Sequence, residues 1–174
     1  MINEYHELAA KYRPKYIKHL LVAEAPPPSG VYFYKPMKLA LGASLENDRS
    51  LPSTIFGHYF GDRPTNIDQY FEFLDRLKEM GVFLVDILDN PVKISDRAYK
   101  GWVNPTELQK VIDAIPKLKD HLNSRGILFN ETRTTFLLAR NKYTKQIRQS
   151  YPKTHKMAWI DFRLRRNKCI CCSQ

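Results

Sequence analysis

Glycine is scarce in this sequence, and cysteine is missing from its body. The seven glycines among 174 residues form no phosphate-binding loop and no nucleophile elbow, so neither P-loop chemistry nor acyl transfer of the α/β-hydrolase kind has its motif here. All three cysteines, Cys169, Cys171 and Cys172, fall in the last six residues, where they cannot staple a fold. A Cys-X-Cys-Cys tail could bind a metal, but no neighbouring histidine has zinc-module spacing. The ending Cys171-Cys172-Ser173-Gln174 lacks the aliphatic middle of a prenylation box, which leaves a solvated tail as its reading. No metal constellation stands out elsewhere, and neither a metal nor a cofactor is expected. No apolar run approaches the ~20 residues that span a bilayer. The start, Met1-Ile2-Asn3-Glu4-Tyr5-His6-Glu7, has neither the basic opening nor the apolar stretch of a signal peptide. A reducing, cytoplasmic setting is expected, without membrane contact. Internal repeats and long low-complexity segments are also missing.

What is present fits one globular domain. Hydrophobic residues make up 43% and charged residues 26%, enough to bury a full core and too apolar for general disorder. A single domain over residues 1–174 is expected, as a monomer, with a basic tail from about residue 165. Lysine and arginine exceed aspartate and glutamate by ten, and the sequence pI is about 9.5. That balance favours polyanionic partners, because basic groups release the counterions condensed on a phosphate backbone. Part of the excess is concentrated between Arg148 and Lys168.

Helix and strand patterns alternate along the chain. A short leading helix stops before Pro14, and residues 16–23 end in the apolar run Leu20-Leu21-Val22-Ala23, the pattern of a strand buried on both faces. Ile67, Tyr70, Phe71, Leu74 and Leu77 recur at helical spacing, with Thr65 or Asn66 able to cap and Gly81 at the far end. A second buried strand follows at residues 82–87, closed by the turn residues Asp89-Asn90-Pro91. Asn104, Pro105 and Glu107 open another helix, whose inner stripe is Leu108, Val111, Ile112 and Ile115. Pro116 ends this helix or opens the next, which runs toward Leu122. Residues 126–130 read as a third strand, residues 132–145 as a helix, and residues 157–164 as a half-exposed edge strand. The expected fold is α/β: a three-layer sandwich with a mainly parallel four-stranded sheet and helices on both faces. In such sheets the ligand crevice lies outside the carboxyl ends of the strands. The expected strand ends, Glu24, Asp86 to Asn90 and Asn130 to Thr132, would converge there.

Each of these ends offers chemistry beside a plainer explanation. Glu24 leaves an apolar strand for a proline-stiffened loop, where a carboxylate could orient water or stabilise positive charge. It could equally cap a helix or pair with an arginine. The loop Val31-Tyr32-Phe33-Tyr34-Lys35-Pro36 sets three aromatics beside a lysine, which suits unpaired bases, or else it folds onto the core. Asp86 sits within an apolar run and needs a partner if buried. Asp89 and Asn90 could read a base edge, although turn formation accounts for them. Asn130, Thr132 and Arg133 could cap the following helix and receive a phosphate at its N-terminus. His58 and His155 read as solvated.

The segment Leu20-Leu21-Val22-Ala23-Glu24-Ala25-Pro26-Pro27 resembles the first motif of the uracil-DNA glycosylase superfamily, in the branch whose apolar strand runs into Gly-Glu-Ala-Pro-Gly. The continuation Ser29-Gly30-Val31-Tyr32-Phe33-Tyr34 is similar to that of glycosylase-like proteins. The resemblance implies a four-stranded parallel sheet, helices on both faces, and a base flipped from DNA into a pocket for cleavage of its glycosidic bond. On that implication, Glu24 positions water or balances the sugar cation, Phe33 or Tyr34 stacks on the base, and Asp86 faces the base edge. Pro26 and Tyr32 line the same loop, whose amides would stabilise charge on the departing base. Ala23 and Pro27 replace the branch's glycines, Asp86 replaces an expected asparagine, and the His-Pro-Ser-like second motif has only Thr154-His155-Lys156 as its nearest fragment. The expected function is therefore a DNA glycosylase-like protein acting on uracil or another deaminated base in single- or double-stranded DNA. The alternatives are a non-catalytic nucleic-acid-binding module of the same fold, or an enzyme acting on a small nucleotide.

Overall fold

In the computed structural model, residues 4–27, 30, 32–40, 42–45, 50–91, 105–139, 141–154 and 156–159 are described. In chain order the elements are α1 (Glu4–Lys11), β1 (His19–Ala23), α2 (Met37–Ala40), α3 (Leu51–Phe60), α4 (Ile67–Glu79), β2 (Val82–Asp86), α5 (Pro105–Ala114), α6 (Leu118–Ser124), β3 (Thr135–Leu138), α7 (Thr144–Ser150) and β4 (Met157–Trp159). The four strands form one parallel sheet in the order β2-β1-β3-β4. The register sets Leu20 between Phe83 and Phe136, and Leu21 between Leu84 and Leu137, so bulky apolar rows cross the sheet. Every residue of β2 is buried, as a sheet covered on both faces requires. The expected α/β sandwich is the fold observed.

The α4–β2 unit follows directly from its residues. Tyr70, Phe73, Leu74 and Leu77 are its buried stripe, and the Asn66 side chain accepts a hydrogen bond from the Gln69 backbone amide, capping the helix. Gly81 then turns the chain with φ of 80°, and its carbonyl accepts from both Lys18 and His19 N–H groups. A Cβ at this position would lie 2.8 Å from the Tyr16 carbonyl oxygen, so glycine is required twice over.

The third strand is displaced from its expected place. Residues 127–130 lie outside the sheet, and β3 occupies Thr135–Leu138, where a helix is expected. Leu128 is 71% exposed, so the Ile127-Leu128-Phe129 run does not bury two faces. Instead the Asn130 side chain accepts hydrogen bonds from the Thr132 N–H and hydroxyl, and its carbonyl accepts from Arg133 and Thr134 N–H, making a tight turn. Thr134 donates its hydroxyl to the Ile17 carbonyl, and Thr135 N–H donates to the Lys18 carbonyl, which starts the ladder. A run as short as Phe136-Leu137-Leu138 does not distinguish strand from helix by periodicity. The edge strand begins at Met157 as expected, while residues 160–164 and the cysteine tail lie outside the described residues.

Candidate functional site at the carboxyl edge of the sheet

Strand direction sorts the expected site residues into two groups. Glu24, Asp86, Asp89 and Asn90 follow the carboxyl ends of β1 and β2. Asn130, Thr132 and Arg133 precede β3 and therefore lie at the opposite, amino edge. These three build the turn that launches β3; the helix they were expected to cap does not exist. The residues at the carboxyl end of β3 are those after Leu138, with the Ala139 N–H bonded to the Val22 carbonyl.

Glu24 stands at the exit of β1, between the other two strands that border it. Its carboxylate accepts a hydrogen bond from the Tyr143 hydroxyl at 2.5 Å and pairs with Lys142 Nζ at 2.7 Å. Both partners come from the turn after β3, so tertiary structure supplies what local sequence could not. Lys142 also borders a shallow open depression lined by Thr144, Lys145, Arg148 and Gln149, which has three cations and no acid among its lining residues. The carboxylate thus lies at one end of a positive surface.

The aromatic loop serves a different purpose from a base-stacking platform. Tyr32, Phe33 and Tyr34 are all buried, and Pro26 is buried beside them in sequence. β2 is an edge strand, and the Tyr34 hydroxyl donates to the Leu84 carbonyl while accepting from the Leu84 N–H. One phenol therefore satisfies the two backbone groups that a further strand would have paired. Tyr34 also stacks on Tyr12, Phe33 packs near Phe56, and the Phe33 carbonyl accepts from the Tyr70 hydroxyl. Burial raises the Tyr34 hydroxyl well above its ordinary pKa, so it remains a donor.

Asp86 ends β2 with 8% of its surface exposed. Burial pushes its carboxyl up to about 7, against the opposing pull of the Arg125 charge and a hydrogen bond from the Tyr32 hydroxyl. Asp86 therefore has polar partners that offset its burial only in part, and one of them, Tyr32, is a loop aromatic expected at the base-binding site. Asn90 is exposed at the following turn. The Ile87 and Leu88 N–H groups donate to the Ala23 and Glu24 carbonyls, tying this turn to the start of the Glu24 loop.

The sequence reading missed a cluster on the flank of the same edge. His6 Nε2 and His121 Nε2 lie 2.7 and 2.8 Å from one oxygen of Asp89, and Arg125 Nη1 lies 3.7 Å from it. The three ligand-type residues come from α1, the β2 exit and α6, so no local spacing could announce them. A cavity of about 260 Å³ adjoins His6 and Arg125, with Phe83 and Ile127 among its apolar walls.

No protein-family model, curated protein or solved structure matches the chain.

Proposed function

We propose that this chain is a DNA-binding protein of the glycosylase kind, in which Glu24 serves hydrolysis of the N-glycosidic bond of uracil or another deaminated base. One observation carries the reading: a carboxylate at the exit of an inner strand, held between Tyr143 and Lys142 at the end of the cationic surface formed with Lys145 and Arg148. Lys145 and Arg148 would engage backbone phosphates, and Glu24 would orient the attacking water and oppose positive charge building on the sugar. Lys142 would pass between the two roles, releasing the carboxylate as a phosphate arrives. The net charge of +10 supports a polyanionic partner. Among the described residues no helix is long and apolar enough to cross a membrane, and a cytoplasmic setting belongs to the same proposal.

A non-catalytic nucleic-acid-binding module is the second reading, and burial of Tyr32, Phe33 and Tyr34 favours it, because these rings are committed to the core. The discriminating experiment is base release from labelled oligonucleotides carrying uracil, hypoxanthine or xanthine, followed by alkaline cleavage. For a glycosylase, Glu24→Gln lowers the rate by about 100-fold or more while DNA affinity holds. Salt-sensitive binding with no release from any of the three would establish the binding module instead.

A further inference from the structure

Away from Glu24, the cluster of His6, Asp89 and His121 has the donor set of a metal centre. Its ligand atoms, two imidazole nitrogens and a carboxylate oxygen, all lie within 4.8 Å of one another, and each residue is partly buried. We propose that these three residues bind a divalent transition metal ion, zinc foremost, through both Nε2 atoms and Asp89 Oδ1, with a fourth position left to a solvent or anionic ligand. This site does not depend on the role of Glu24.

The chemistry selects the ion. Two imidazoles with one carboxylate suit zinc and its transition-metal neighbours, whereas magnesium and calcium prefer all-oxygen sets. Three protein ligands plus one exchangeable position is the arrangement of an open zinc site. In a tetrahedron with bonds of about 2.0–2.2 Å the ligand atoms stand roughly 3.3–3.5 Å apart. The two nitrogen–oxygen separations of 2.7 and 2.8 Å would open by roughly 0.6 Å to admit the ion. As a ligand, each imidazole would be neutral, presenting its Nε2 lone pair and carrying its proton on Nδ1.

The surroundings fit as well. The ligands stand on two helices and a strand exit, the imidazole rings meet edge to face with centroids 6.3 Å apart, and both Nε2 atoms approach the same Asp89 oxygen. Arg125, 3.7 Å from the Asp89 oxygen, adds positive charge beside the ion. That charge favours an anionic fourth ligand, hydroxide or a phosphate oxygen.

The test is calorimetric titration of zinc into the chelator-stripped 174-residue chain, as it stands and with Cys169, Cys171 and Cys172 replaced by serine. The serine-substituted chain is expected to bind one zinc per chain. In that background Asp89→Asn and His121→Ala, checked for folding by circular dichroism, weaken binding at least about 100-fold, since even outer-shell changes cost about 10–100-fold. Should those variants fail to fold, cobalt(II) added to the serine-substituted chain with the triad intact gives visible ligand-field bands without thiolate charge transfer. It also selectively broadens the ring signals of His6 and His121 in NMR. Absence of zinc binding once the cysteines are gone, undiminished binding in folded triad variants, or cobalt that leaves both histidine signals sharp would each overturn the proposal.

Discussion

At the scale of single residues, Asp86 makes a pH-dependent contribution whose sign can be worked out. Its carboxyl titrates at about 7 in the folded protein against a reference of 3.8, because burial disfavours the charged form more than Arg125 and Tyr32 favour it. Between these values the folded state keeps a proton that the unfolded chain has released. Stability therefore falls as pH rises from about 4 to about 7 and levels off above that. The loss is on the order of 4 kcal/mol at the upper end. Asp86→Asn has no such proton to lose and can still accept from Tyr32. Urea denaturation at about pH 4, 6 and 8 should show the variant gaining on the natural protein as pH rises. Parallel stability curves for the two proteins would refute this account of Asp86.

At the scale of elements, the edge of β2 explains why an aromatic loop is buried. Tyr34→Phe keeps the ring but strips Leu84 N–H and C=O of their shared partner. The expected cost is about 2–3 kcal/mol, measured as a lower urea midpoint with unchanged slope, since two buried backbone groups lose their hydrogen bonds. A midpoint within error of the natural protein would mean that water replaces the phenol. The same contrast marks how far the sequence could be read. β1, α4, β2 and the capped start of α4 were legible because continuous apolar runs and 3.6-residue periodicity report burial directly. β3 was not, because Phe136-Leu137-Leu138 is too short for its period to show, and Ile127-Leu128-Phe129 imitates a strand while exposing Leu128. That displacement put Asn130, Thr132 and Arg133 on the wrong edge. Glu24 and Asp86 were legible by position at apolar strand ends. Their partners Lys142, Tyr143, Tyr32 and Arg125, like the His6–Asp89–His121 cluster, are joined only by strand order and helix packing.

At the scale of the whole molecule, the proposed reading divides the positive charge between a surface that would dock DNA and charge that only raises the pI. The cationic depression at Lys142, Lys145 and Arg148 borders the carboxyl edge, whereas Arg133 lies at the amino edge. Each of these cations contributes one unit to the net charge, so long-range attraction alone would weigh them charge for charge. Direct phosphate contact would not. On the proposed reading, Lys145→Ala with Arg148→Ala reduces the slope of log affinity against log salt by about 2 for double-stranded DNA, as each phosphate contact accounts for about 0.9 of that slope. Arg133→Ala leaves the slope unchanged. Fluorescence anisotropy of a labelled duplex across a salt series measures both. Small effects from the two edges, equal per charge removed, would assign the charge to non-directional attraction and remove the basic depression from the proposed site. A large effect from Arg133 alone would move the nucleic-acid surface to the amino edge, away from Glu24, and the glycosidic role of that carboxylate would go with it.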